Sequence, residues 1–187
     1  MTLRPALVAL GSNLSSGPVD SAGLVRQAIG ALGRIGPTRA ARIFATPAVP
    51  AGSGPAFVNS CALVVTDLGP ESMLRKLHAI ERAHGRTRPG RWAPRTLDLD
   101  LLALGGLVAP SRAGWARWRR LPPAAQARLA PRRPVLPHPR LQDRAFVLVP
   151  LCDIAPDWRH PVTGRTARAM LAALGPGRLD GIRPVGG

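Results

Sequence analysis

Two stretches of helical period, residues 20–33 and 69–85, are separated by two apolar runs of strand character and flanked by one more on either side. In DSAGLVRQAIGALG (20–33), Leu24, Ala28, Ile29 and Leu32 recur at helical spacing behind an N-cap at Asp20 or Ser21. In GPESMLRKLHAIERAHG (69–85) the apolar stripe is Met73, Leu74, Leu77 and Ile80. Pro70 stands in its first turn, Glu71 complements the helix dipole, and Gly85 supplies the stop. The strand-like runs are ALVALGSNL (6–14), TRAARIFATP (38–47), FVNSCALVVTD (57–67) and the segment 96–104, with a Pro/Gly loop at 47–56.

The resulting order, strand–helix–strand–strand–helix–strand, is the split βαβ arrangement of an α+β, ferredoxin-like fold: an antiparallel sheet with helices packed on it. At 187 residues the chain suits one domain, expected to span 1–174. Residues 107–132, rich in Arg, Pro and Ala and weak in periodicity, read as a long surface insertion with a short helix near 122–129. Order returns at 136–158, a final amphipathic helix is expected over 164–174, and 175–187 reads as a flexible tail. No apolar run approaches the roughly 18 residues of a membrane span, and the N-terminus lacks the features of a signal peptide. With Cys61 and Cys152 isolated in the sequence, buried free thiols in a reducing compartment are expected; the protein is expected to be cytoplasmic and a monomer.

The formal net charge is +16, yet 25 of the 26 basic residues are arginine, in a chain with 20 Gly and 21 Pro. Such a drift raises surface arginine whatever the function, so clustering is more informative than total charge. The cluster is at RWAPRTLDLDLL (91–102), where Asp98 and Asp100 alternate with leucines. On a strand they face the same way, about 6.5–7 Å apart, with Leu97, Leu99 and Leu101 turned to the core. Two carboxylates so placed repel unless a cation lies between them, and hard oxygen ligands favour Mg²⁺ or Ca²⁺, in a one- or two-metal arrangement. The plainer alternative is a solvent-facing stripe paired with arginines. Arg86, Arg88, Arg91 and Arg95, within about ten residues of the pair, add the guanidinium forks that suit phosphate oxygens. Together these describe a polyphosphate site. There is no GxxxxGK[ST] loop, and LGSNL is not GxGxxG, so a nucleotide would be held by side chains and metal.

Five blocks, LGSNL, the Ala-Thr-Pro at 45–47, FVN (57–59), GRTRPGRWAPRTLDLDLL and LPHPRLQDRAFVLVPL, stand in one order that resembles the 6-hydroxymethyl-7,8-dihydropterin pyrophosphokinases of folate biosynthesis. The resemblance implies a transferase of the kinase type. It would move the β,γ-pyrophosphoryl group of ATP to the pterin's hydroxymethyl oxygen and release AMP. It implies that Asp98 and Asp100 ligate two Mg²⁺ ions, and that Arg86 and Arg95 approach the triphosphate from a catalytic loop also holding Arg88, Arg91 and Trp92. Glu81, Arg133, His138 and Arg144 match nucleotide-side positions. Phe57 and Phe146 would sandwich the pterin, Asn59 would read its polar edge, and Thr46, Pro47, Val49 and Trp92 would line it. The implied partners are ATP and the pterin, with neither nucleic acid nor membrane.

The rival is a basic RNA-binding module of the same topology. It requires stacking aromatics on neighbouring strands, whereas this chain has no tyrosine, only three phenylalanines, and acids in its most basic region. The aromatic–arginine mixture WARWRR (115–120) suits single-stranded nucleic acid, but reads better as a solvated or interface-forming loop.

Overall fold

The computed structural model describes residues 2–47, 55–85 and 96–186. β1 (Arg4–Ser12) leads to helix α1 (Ser21–Leu32), whose first turn is capped by Asp20 accepting from the Gly23 N–H at 2.7 Å. The run expected as one strand over 38–47 is two short ones, β2 (Thr38–Ala40) and β3 (Phe44–Thr46), both paired to β4 (Phe57–Thr66). Helix α2 (Pro70–Ala83) and strand β5 (Asp98–Leu104) complete the expected pattern. The strand order is β5-β1-β4-β3, with β2 also on β4, and every pairing is antiparallel. This is the arrangement that the order of periodicities predicts.

The sheet is covered on both faces. On one, Ala6, Val8, Leu10, Val64 and Leu99 pack against Val25, Ala28 and Leu32 of α1 and Met73 and Leu77 of α2. On the other, Leu7, Cys61 and Leu102 meet Val147, Leu148 and Leu151 of α5 (Ala145–Ile154), and Ala167 and Met170 of α6 (Ala167–Ala172). Helix α5 was not legible in the sequence. Its run AFVLVPLCDI is apolar on nearly every side, so it has no amphipathic period, and Pro150 lies inside it.

Two further expectations change. Within 107–132, the helix near 122–129 is present as α4 (Pro123–Arg128), but it is preceded by a longer one, α3 (Arg112–Arg120), capped by Ser111 accepting from Gly114 N–H at 3.1 Å. Trp115 of α3 is only 5% exposed, so this part of the insertion is seated in the fold and not solvated throughout. The C-terminal segment expected to be flexible carries a short strand, β6 (Arg183–Pro184), paired with β3. The backbone N–H of Val185 adds a bond to the Ile43 carbonyl at 2.8 Å.

Candidate active site

At one end of the sheet face that carries α5, the side chains change from apolar to polar. The register explains which ones meet. Gly11 of β1 lies opposite Asn59 on β4 and opposite Asp98 on β5, and Ala9 lies opposite Cys61 and Asp100. Residues directly opposite in an antiparallel pair share a face. Asp98, Asp100 and Asn59 are thus brought to one surface, separated only by the small residues of β1. Phe44 extends the row to β3.

The aspartates are each partly exposed while Leu97, Leu99 and Leu101 are buried, which is the alternation read from the sequence. The Leu99 N–H, on the open side of this edge strand, donates to Glu81 Oε1 at 2.8 Å. Glu81 is 1% exposed, and it approaches from α2, across the strand from the aspartates' face. The resemblance puts Glu81 on the nucleotide side. Its observed position lets it satisfy an edge N–H and fix the strand that presents Asp98 and Asp100.

Above the aspartates lies the segment 136–144. It is held to β5 by the His138 N–H bonded to the Leu102 carbonyl at 2.7 Å. Arg144, at the N-cap of α5, reaches Asp100 Oδ2 at 3.4 Å, and its guanidinium lies 5.7 Å from the ring centroid of Phe146, a cation–π distance. His138 Nδ1 accepts from the Arg140 N–H at 3.2 Å, so its Nε2 carries the proton. Burial pushes the imidazole pKa down to about 4. The nearby Asp100 and Asp98 carboxylates oppose that shift, while Arg144 and Arg140 reinforce it. At neutral pH His138 is an uncharged hydrogen-bond donor beside the carboxylates.

On the far side of Gly11, Asn59 Nδ2 donates to Thr46 Oγ1 at 2.8 Å, and both residues are buried. Phe57 begins β4, half-buried, and Phe146 is 40% exposed on the first turn of α5. Pro47 is exposed beside the C-terminal segment: a Cβ at Gly181 would come within 2.6 Å of its ring. Arg133 is exposed on the approach to this segment. Arg86, Arg88, Arg91, Trp92 and Arg95, and Val49, lie outside the described residues.

Two participants escaped the sequence reading. Gly11 is the narrow spacer that lets Asn59 and Asp98 share a surface; an added Cβ would stand 3.0 Å from Asn59 Oδ1. Arg140, ion-paired with Asp143 at 3.1 Å and acting on His138, joins the basic side. LGSNL contains the first, but only the strand register shows what its glycine separates.

The model of the 7,8-dihydro-6-hydroxymethylpterin-pyrophosphokinase (HPPK) family matches residues 7–156, which include every element of this site. The chain belongs to that family. The family is named for a pyrophosphokinase, and the relatives carry the same name. Among its relatives, the 2-amino-4-hydroxy-6-hydroxymethyldihydropteridine pyrophosphokinase of Pseudomonas aeruginosa is 39% identical over 175 residues, covering 91% of this chain and 92% of the relative. The enzyme of the same name from Synechocystis sp. is 43% identical over 112 residues, or 60% of this chain and 47% of the relative. A wild-type Plasmodium falciparum HPPK-DHPS chain, crystallised with pteroate, superposes with a TM-score of 0.68 at 12% identity, covering 98% of this chain and 48% of that one. The chain thus spans about half the length of the Synechocystis and Plasmodium proteins and nearly all of the Pseudomonas one. Among the described residues, no helix is long and apolar enough to cross a membrane.

Proposed function

We propose that this chain transfers the β,γ-pyrophosphoryl group of ATP to the hydroxymethyl oxygen of 6-hydroxymethyl-7,8-dihydropterin, releasing AMP. In the reaction the substrate O–H bond and the Pβ–O bond of the Pα–O–Pβ bridge break and a new O–Pβ bond forms; the bridging oxygen leaves on AMP and the proton is released to solvent. The observation that supports this most directly is the shared surface of Asp98, Asp100 and Asn59, reached from above by Arg144.

The donor set fits Mg²⁺. Asp98 and Asp100 supply two hard carboxylates on one strand face, and among the described residues no third His, Cys, Asp or Glu joins them. Mg²⁺ needs only one or two carboxylates and completes its shell with water and substrate phosphates. Two such ions would neutralise triphosphate charge and make the hydroxymethyl oxygen more acidic. The remaining work is positioning and charge. Arg144, which lies between Asp100 and Phe146, would reach the phosphates from there, and the neutral His138 would offer a donor at Nε2. Arg86 and Arg95, with Arg88, Arg91 and Trp92, would close over the phosphates and exclude water. Asn59, held in plane by Thr46, presents a donor and an acceptor to the pterin edge, and Phe57 and Phe146 offer ring faces to the flat substrate. Val49 and Pro47 would add wall contacts, and Arg133 and Glu81 would stand on the nucleotide side, as the resemblance implies.

The charge does not favour the RNA-binding alternative. Trp115, the first aromatic of WARWRR, is buried and not available to stack on a base. Both cysteines are free, which suits the reducing cytoplasm, and burial raises the Cys61 thiol to about 12, leaving it inert. The test is incubation with ATP, Mg²⁺ and the hydroxymethyl pterin, following AMP and the pterin diphosphate. The wild-type chain should form both, and chelating the metal should stop it. Asp98→Ala should abolish AMP formation with an unchanged circular dichroism spectrum. Near-normal turnover by that variant would refute the assignment.

A further inference from the structure

The insertion is joined to the same segment that carries His138, Arg140 and Arg144. The backbone of Ala109 pairs with Leu136 through two hydrogen bonds of 2.9 and 3.1 Å. The Trp115 indole N–H donates to the Pro137 carbonyl at 2.8 Å, one residue before His138. Arg119, one helical turn further along α3, reaches Asp143 at 2.9 Å, and Asp143 also pairs with Arg140 at 3.1 Å. Asp143 immediately precedes Arg144. α3 is fastened on its other side as well. Arg112 donates to the Pro161 carbonyl at 3.2 Å, and the Trp115 ring meets the fully buried His160 edge-on at 5.3 Å. The helix is thus a strut between the turn at 158–166 and the 136–144 segment.

We propose that α3 is a positioning element for nucleotide binding, in which Trp115 and Arg119 hold His138, Arg140 and Arg144 in place over the aspartates. This rests on the reading that 136–144 is the ATP side of the site. The physical reason is that irregular backbone such as 136–144 has few ladder bonds of its own, so its side-chain geometry depends on what it is fastened to. Two arginines share Asp143. Removing Arg119 frees the carboxylate to move with Arg140 and lets the neighbouring Arg144 relax away from Asp100. Positioning residues of this kind act through others and touch no reacting atom.

The experiment is steady-state kinetics with ATP and pterin varied separately. The variants are Arg119→Ala, Arg119→Lys, Trp115→Phe and the exposed-face control Arg117→Ala, each with its melting temperature. Arg119→Ala should raise the KM for ATP about two- to fivefold, the scale of a part-buried ion pair, and leave the pterin KM at the wild-type value. Arg119→Lys should recover most of the loss, Trp115→Phe should act in the same direction, and Arg117→Ala should be silent. An unchanged ATP KM in Arg119→Ala, or equal rises in both KM values, would overturn the proposal. Arg144→Ala, measured alongside, separates the two levels. If it raises the ATP KM while Arg119→Ala does not, the nucleotide-side reading stands and the strut falls. If Arg144→Ala leaves the ATP KM unchanged, both fall.

Discussion

Gly11 offers the sharpest test of how the sheet register builds the site. An alanine there would place its Cβ 3.0 Å from Asn59 Oδ1, where carbon–oxygen contacts settle at about 3.3–3.6 Å. The amide must retreat by a few tenths of an ångström, yet Asn59 is 6% exposed and tied to Thr46 Oγ1 at 2.8 Å. Any swing that relieves the contact stretches that bond. Weakening it costs about 0.5–1.5 kcal/mol, and about 1–3 kcal/mol if a buried amide proton is stranded. Against this, replacing glycine inside a strand gains about 0.5–1 kcal/mol. The net runs from about neutral to a destabilisation of about 2.5 kcal/mol, a fall in Tm of at most about 10 °C for a chain of this size. The functional effect should be larger than the thermal one, because Asn59 is displaced along the edge that would read the pterin. Gly11→Ala should raise the pterin KM well above its effect on the ATP KM, in the same direction as Asn59→Ala. Calorimetry and two-substrate kinetics measure both. Wild-type pterin KM in a variant with wild-type Tm would refute the claim that Gly11 separates these residues by necessity.

Leu148 is fully buried on α5 in the second core, so Leu148→Ala should cost about 2–5 kcal/mol by denaturant unfolding; a loss below 1 kcal/mol would mean that α5 is not a core element. His160 is held neutral in the fold. Burial lowers its pKa to about 4, and its Nδ1 accepts from the Val162 and Thr163 N–H groups at 3.2 Å. The unfolded histidine, near 6.5, binds protons more readily. Stability should therefore be complete above about pH 6.5 and fall as the pH drops from there toward 4. His138 contributes with the same sign. Urea midpoints at pH 7 and 5 check this, with His160→Phe expected to flatten the dependence; an equal slope in that variant would exclude His160 as a source.

How much was legible in the sequence differs between the two halves of the molecule. The strands and helices up to residue 104 carry their own periods: alternation in 96–104, a stripe of Met73, Leu77 and Ile80, an Asp20 cap. Each is a local signal that survives folding unchanged, and the Asp98–Asp100 pair follows from strand geometry alone. Helix α5 had no such signal, since a segment buried on all sides needs no polar face, and Pro150 argued against it. Helix α3 was obscured because its arginines mask a single buried anchor, Trp115, whose partners lie at Pro137 and His160.

By itself, the sequence determined the order of elements, the paired carboxylates and the family, because these depend on spacing along the chain. Only the tertiary structure decided that Gly11 separates Asn59 from Asp98, that Glu81 lies beneath the strand and holds the Leu99 N–H, and that the insertion is fastened to the 136–144 segment. Those are distances between residues far apart in sequence, set by sheet register and by which face each helix covers, and no local pattern of side chains encodes them.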